Sequence, residues 1–328
     1  MISNWPTGRA ARRWSPEAVD RAAYAVILVL GGILWWLSAV HPALMPVWAP
    51  WDFAPVEYLA TTLALLWFFR GLASTPVAER LPRWRQIMFL IGVAIIYAVL
   101  QTRYEYWSQH MFFLNRIQHV VMHHIGPFLI ALGCAGGPIR RGMPAFLRRA
   151  TRSWPARGAM RVIQHPVVAP VVFVGSFYFW LIPAVHFDAM INAKLYAVMN
   201  WTMVVDGILF WWLVLDPRPK PPARIGYGAR VALAFAVMFP QIILGAALTF
   251  SQQDLYPYYD LCGRLFSNIS ALNDQHIGGI VIWIPPAMMS AIAVVLVVNA
   301  LRIHEETTTE TDHDAAALAE LARGWTGR

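Results

Sequence analysis

The sequence predicts an all-α bundle that crosses a membrane about eight times, with both termini in the cytoplasm. Three observations lead there. The 328 residues are 58% hydrophobic and only 13% charged, whereas soluble domains carry about 25% charged residues. Eight apolar windows, at 22–40, 55–70, 86–102, 117–136, 166–183, 195–215, 230–250 and 277–300, have about the length a ~30 Å hydrocarbon core requires. Lysine and arginine then sort by loop, 22 on one side of these windows and four on the other. An excess of that kind marks the cytoplasmic face.

The elements follow in order. Residues 1–21 form a cytoplasmic segment with Arg9, Arg12, Arg13 and Arg21. The first apolar stretch is long and lacks a small-residue cleavage site, so it reads as a retained span and not a signal peptide. The bundle occupies 22–303. Its inner loops are basic, above all 137–165 with seven arginines, which suits anionic headgroups. Its outer loops, such as YEYWSQHMFF and QQDLYPYYDLCG, are aromatic and suit the interfacial belt. Residues 304–328 leave the membrane through an acidic, threonine-rich linker, followed by a short helix near 314–323. Continuous apolar runs exclude a membrane barrel, whose strands alternate. The charge sorting explains the net charge of +8 without nucleic acid. Cys134 and Cys262 fall on opposite sides, so no disulfide is expected between them.

The fourth window holds the most chemistry, in NRIQHVVMHHIGPFLIALG from Asn115 to Gly133. His119 and His123 are four apart and share a helical face, and His124 points about 100° away from His123. Pro127 frees the carbonyl of residue 123 from its helical bond. Ionisable groups inside a span are functional by default. His119, His123, His124 and His276 are therefore candidate metal ligands, with Asp206, Asp274, Asn115 and Asn200 as supporting or proton-relay groups. The expectation is that they converge in the outer half of the bundle. Asp206 must pair, protonate or face water, and His123 or His124 is its expected partner. Interhelical hydrogen bonding is the other reading of these histidines. Outer-loop His41, His110 and His186 read as surface residues, and His165 as structural.

Four stretches carry a resemblance: QHVVMHHIGPFLIALG (118–133), QHPVVAPVVF (164–173), DGILFWWLVLDP (206–217), and the pair LGAALTFSQQDLYPYY (244–259) and NDQHIGGIVIWIP (273–285). Together they resemble the CtaG family of membrane-embedded cytochrome c oxidase assembly factors, over about residues 55–300. The resemblance implies a non-enzymatic role in assembling a respiratory haem-copper oxidase in a bacterial inner membrane. It implies copper as the metal, at a periplasm-facing histidine site. The implied partners are an oxidase subunit, the lipid bilayer and a periplasmic copper donor. The family pattern also implies histidines where this chain has Asn115, Tyr196 and Asn200, and a methionine at Ile282. The alternatives left open are a metal-free scaffold or accessory subunit bound to an oxidase, a haem or quinone protein, and a transporter.

Overall fold

The computed structural model describes residues 16–326, and every regular element among them is helical. The helices are α1 (Pro16–Val40), α2 (Pro55–Ala73), α3 (Arg83–Gln101), α4 (Tyr104–Ser108), α5 (Phe112–Val120), α6 (Gly126–Leu132), α7 (Gly136–Gly142), α8 (Ala145–Thr151), α9 (Trp154–Ile163), α10 (Val168–Leu181), α11 (Pro183–Ile191), α12 (Ala193–Val214), α13 (Tyr227–Thr249), α14 (Tyr258–Cys262) and α15 (Ala271–Thr326). Among the described residues six helices are long and apolar enough to cross a bilayer, and bent pairs bring the number to as many as eight. The chain is a multi-pass membrane protein. The basic-poor end, which holds α4, α11 and α14, is called the outer end after the orientation its charges predict.

Polarity is arranged inside out. Leu28, Val171, Ile243 and Val295 are exposed along the flanks, where lipid tails take the place of water. Arg116, His119, His123, His124 and Gln241 are fully buried.

Span four is the axis of the bundle. α5 and α6 join into one rod, Phe112–Leu132, through a single π turn at Val121–Ile125. Gly126 N–H reaches back to the Val121 carbonyl, and Pro127 supplies no N–H at all. The rod ends where Cys134 adopts φ 49°, and α7 leaves at 79° to it. α7 packs on α2 with almost no space between backbones. A Cβ at Gly142 would stand 1.9 Å from the Trp67 carbonyl oxygen.

The second bent pair is α9 and α10, which meet at 69°. α9 lies outside the bundle and exposes both Trp154 and Val162 beside its arginines. At the inner end Arg230 is buried, and its guanidinium donates to the carbonyls of Asp216, Arg218 and Ile225.

α15 corrects one expectation. The threonine-rich segment after residue 304 is not an open linker, since the helix continues through it to Thr326. Thr308 and Thr309 satisfy their hydroxyls on carbonyls one turn back, those of His304 and Glu305, and Arg302 meets Glu306 one turn on along the same face. Local bonds of this kind let a polar segment remain helical beyond the membrane.

Candidate functional site

A buried polar chain runs across the middle of the bundle. The π turn presents His123 and His124 toward α10, α12 and α13. The Nδ1 atoms of the two rings face each other at 3.1 Å. His123 Nε2 lies 3.1 Å from Asp206 Oδ1 on α12. That separation is a hydrogen-bond distance, although the ring N–H points off the line and leaves both atoms without an aligned partner. Asp206 Oδ2 accepts from the Ser176 hydroxyl on α10. At the other end, His124 Nε2 lies 2.9 Å from Gln241 Nε2 on α13. The pairing expected of Asp206 with His123 or His124 is therefore present.

The surrounding helices hold this chain rigidly. His123 stacks on Phe173, with centroids 4.0 Å apart and planes at 17°. His124 meets Phe173 and Trp211 edge-on. Gly207, the residue after Asp206, lets α12 close on span four, because a Cβ there would stand 2.4 Å from the carbonyl oxygen of His123. Close approach, and not backbone freedom, is what this glycine provides.

One proton arrangement fits the aligned contacts and turns the remaining ring N–H toward Asp206. With Gln241 donating its amide N–H to His124 Nε2, His124 carries its hydrogen on Nδ1 and donates to His123 Nδ1. His123 then carries its hydrogen on Nε2, facing Asp206. Both imidazoles are neutral in this arrangement, and the assignment follows from the network. The chain has the connectivity of a short proton relay. It also has that of a polar clasp joining four spans, α10, α12, α13 and span four.

The remaining candidates lie elsewhere. His119 is fully buried one turn toward the outer end, and neither ring nitrogen has a hydrogen-bond partner in the protein. His276 Nε2 bonds the Ser251 carbonyl at 2.8 Å and helps fix the outer loop. Asp274 accepts from the backbone N–H groups of Phe112 and Phe113, at 2.9 and 2.7 Å, and pairs with Arg264 at 2.6 Å. It caps α5. Asn115 accepts from Arg116, and its amide lies 4.0 Å from Met190 Sδ. Asn200 neighbours Tyr196. The expected convergence of these groups thus resolves into a central chain, an outer cluster and loop anchors. Among the described residues, no three His, Cys, Asp or Glu side chains are gathered so as to hold a metal ion.

Sequence reasoning missed Ser176, Gln241 and Arg116. Ser176 and Gln241 are single polar residues in apolar spans, a signal that was available. Arg116, one of the four basic residues on the outer side by charge sorting, and His186, which reads as a surface residue, are both fully buried. His41 is exposed, and His110 packs on Tyr106 at the surface.

A groove lies on the flank between α2, α3 and α12. It encloses about 160 Å³, and its walls include Ala60, Ala64, Ile96, Val204 and Ile208. Asn200 and Trp201 stand at its polar end, where the Trp201 indole donates to Glu57 at 3.1 Å. Beside it, outside the spans, the Glu105 carboxyl is pushed up to about 8 by burial first and by the carboxylates of Asp52 and Glu57 second.

Residues 63–302 match the cytochrome c oxidase caa3 assembly factor family. The chain belongs to that family. Three relatives are similar over a shared region. Uncharacterized proteins of Mycobacterium bovis and Mycobacterium tuberculosis are each 24% identical over 276 residues, covering 79% of this chain and 40% of the relative. One from Mycobacterium leprae is 24% identical over 254 residues, covering 73% and 38%. This caa3 assembly factor family member thus spans about two fifths of the length of those relatives. No solved structure matches it.

Proposed function

We propose that this family member assists oxidase assembly by holding an oxidase subunit within the bilayer, with its outer end toward the periplasm of a bacterial inner membrane, and that its central histidines act as a polar clasp and not as a carrier of copper. The observation that carries this reading is the closed chain from Gln241 through His124 and His123 to Asp206. Copper as cargo would have to enter between the two facing nitrogens. At about 2 Å per metal–nitrogen bond, an ion held in line between them needs the nitrogens about 4 Å apart and a tetrahedral one about 3.3 Å, whereas at 3.1 Å they stand at hydrogen-bond separation with a shared proton in the gap. Stacking on Phe173 resists that separation. His119 and His276 are engaged elsewhere or isolated, so no further imidazole completes a set. The flank groove, with Ala60 and Ala64 one turn apart, offers the small-residue surface on which a client helix packs closely.

The test replaces ligand ability while keeping hydrogen bonding. In a host whose oxidase depends on this protein, His123→Gln with His124→Gln leaves amides that bond but bind Cu(I) poorly. A clasp keeps oxidase subunit abundance and copper content near wild type. Copper transfer gives an oxidase that accumulates without its copper, and that outcome refutes the proposal. Ala64→Trp fills the groove, and the amount of oxidase subunit recovered with the protein is expected to fall at least threefold.

A further inference from the structure

The outer cluster around Arg116 has an unusual composition. Arg116 is fully buried on α5, with its guanidinium 4.7 Å over the Phe112 ring. Its Nη2 donates to Asn115 Oδ1 and the guanidinium touches the Tyr259 hydroxyl, while Nε and Nη1 make no aligned hydrogen bond. His119 follows one turn later on the same helix, with both ring nitrogens unpartnered. His186, on α11, bonds the Tyr259 hydroxyl through Nε2 at 3.0 Å, and its Nδ1 has the Trp180 backbone carbonyl nearby but no aligned hydrogen bond. His119 and His186 both lie within electrostatic reach of Arg116. Phe112 is the hub, with the His186 and Tyr259 rings 6.2 and 5.9 Å from its centre. Gly278 on α15 makes room for both Phe112 and Arg116, since a Cβ there would press on each.

Every unpartnered atom of these three side chains is a nitrogen, and one of the side chains carries a fixed positive charge. Buried charges require a counter-charge or full hydrogen bonding. No carboxylate supplies one here. Asp274, on the neighbouring helix, is occupied by Arg264 and two backbone N–H groups. Tyr259 and Tyr256 are the charge-bearing neighbours, and burial raises both phenols, Tyr256 to about 12, so neither is ionised near neutrality. Among the described residues the other fully buried arginine, Arg230, shows how such a group is ordinarily satisfied, by three backbone carbonyls. Arg116 has no equivalent. A cluster of this charge and donor content also repels metal cations, which sets His119 apart from copper.

We propose that the Arg116–His119–His186 cluster is a binding site for a small monovalent anion, of the size of chloride or formate, lying beneath the cap formed by α11 and α14. The guanidinium supplies the charge and three N–H donors, one on Nε and two on Nη1. The imidazoles supply further donors by choice of tautomer. The Phe112, Tyr256 and Tyr259 rings pack against one another beside the cluster, so only a guest of a few atoms is proposed.

The full-length protein in lipid nanodiscs tests this. Sodium chloride, bromide or formate is exchanged for sodium gluconate at constant ionic strength, and thermal unfolding is followed. The unfolding midpoint is expected to rise by about 3 °C in the small anions and not in gluconate. In Arg116→Met, which keeps the length and removes the charge, the response disappears. A wild-type midpoint indifferent to the anion overturns the proposal, and so does an unchanged response in Arg116→Met. Should that variant fail to fold, bromide-soaked wild-type crystals decide: an anomalous peak among the three side chains supports the site, and its absence overturns it.

Discussion

Gly207→Ala tests whether α12 is held against span four by direct backbone contact. The new Cβ would stand 2.4 Å from the His123 carbonyl oxygen and 2.9 Å from Pro127 Cγ. An unstrained contact is about 3.5 Å, so α12 must withdraw by about 1 Å. Asp206 precedes Gly207 and withdraws with it. The 3.1 Å approach of His123 Nε2 to Asp206 Oδ1 then lengthens toward about 4 Å, beyond hydrogen-bond range. Overpacking costs about 1–3 kcal/mol, and drawing apart two buried polar atoms that lie against each other about 1–3 kcal/mol. The two overlap, because withdrawal that relieves the first causes the second, so the total is about 3 kcal/mol. At roughly 2 °C per kcal/mol for a chain of this size, the unfolding midpoint falls by on the order of 6 °C. Intrinsic tryptophan fluorescence in detergent reads this directly. Gly32→Ala is the control, since a Cβ there meets nothing within 4 Å. A Gly207→Ala midpoint within about 1 °C of that control would refute the close-contact reasoning.

Three further outcomes are expected. The Glu105 carboxyl stands at about 8 in the folded chain and near 4.3 unfolded. The folded state therefore holds more protons between those values, and stability falls as pH rises through that window. Glu105 is partly exposed, so the loss is about 2 kcal/mol, and Glu105→Gln should flatten unfolding midpoints measured from pH 5 to 9. Gly142→Ala would drive a Cβ to 1.9 Å from the Trp67 carbonyl oxygen, detach α7 from α2 and speed cleavage of the 143–153 segment by trypsin in inside-out vesicles. Arg264→Ala leaves the buried Asp274 without its 2.6 Å partner. The cost is about 2 kcal/mol, and hydrogen exchange should rise through the loop from Ser251 to Ser270.

The spans were legible because burial in lipid imposes length and apolarity directly. The Asp206–His123 contact was legible too, because a carboxylate in a span has few ways to be satisfied. What composition could not convey was rotation about the helix axes. His119 and His123, on one face of an ideal helix, were expected to cooperate. Instead His123 turns with His124 toward α12 and α13, and His119 joins Arg116. His276 was a plausible imidazole by type, but the Ser251 carbonyl claims it. Arg116 was misplaced because a lone arginine near a span boundary normally reaches water. Here α11 and α14 fold over it, and short helices in loops leave no hydrophobic run to read.

The π turn at Val121–Ile125 has a consequence for length. A turn bonded over five residues accommodates one more residue than the α-helical turn it replaces. Were that turn to regularise into an ordinary α-helix with every residue kept, everything upstream would swing by about 100° relative to everything downstream. Arg116 and His119 would be carried off their bearing while the histidine pair lost its alignment. Hydropathy would register no change, for the segment would still be long and greasy enough to cross. The extra residue works as a phase setting, the one increment that keeps two polar centres, a turn apart on the same rod, each facing its own neighbours.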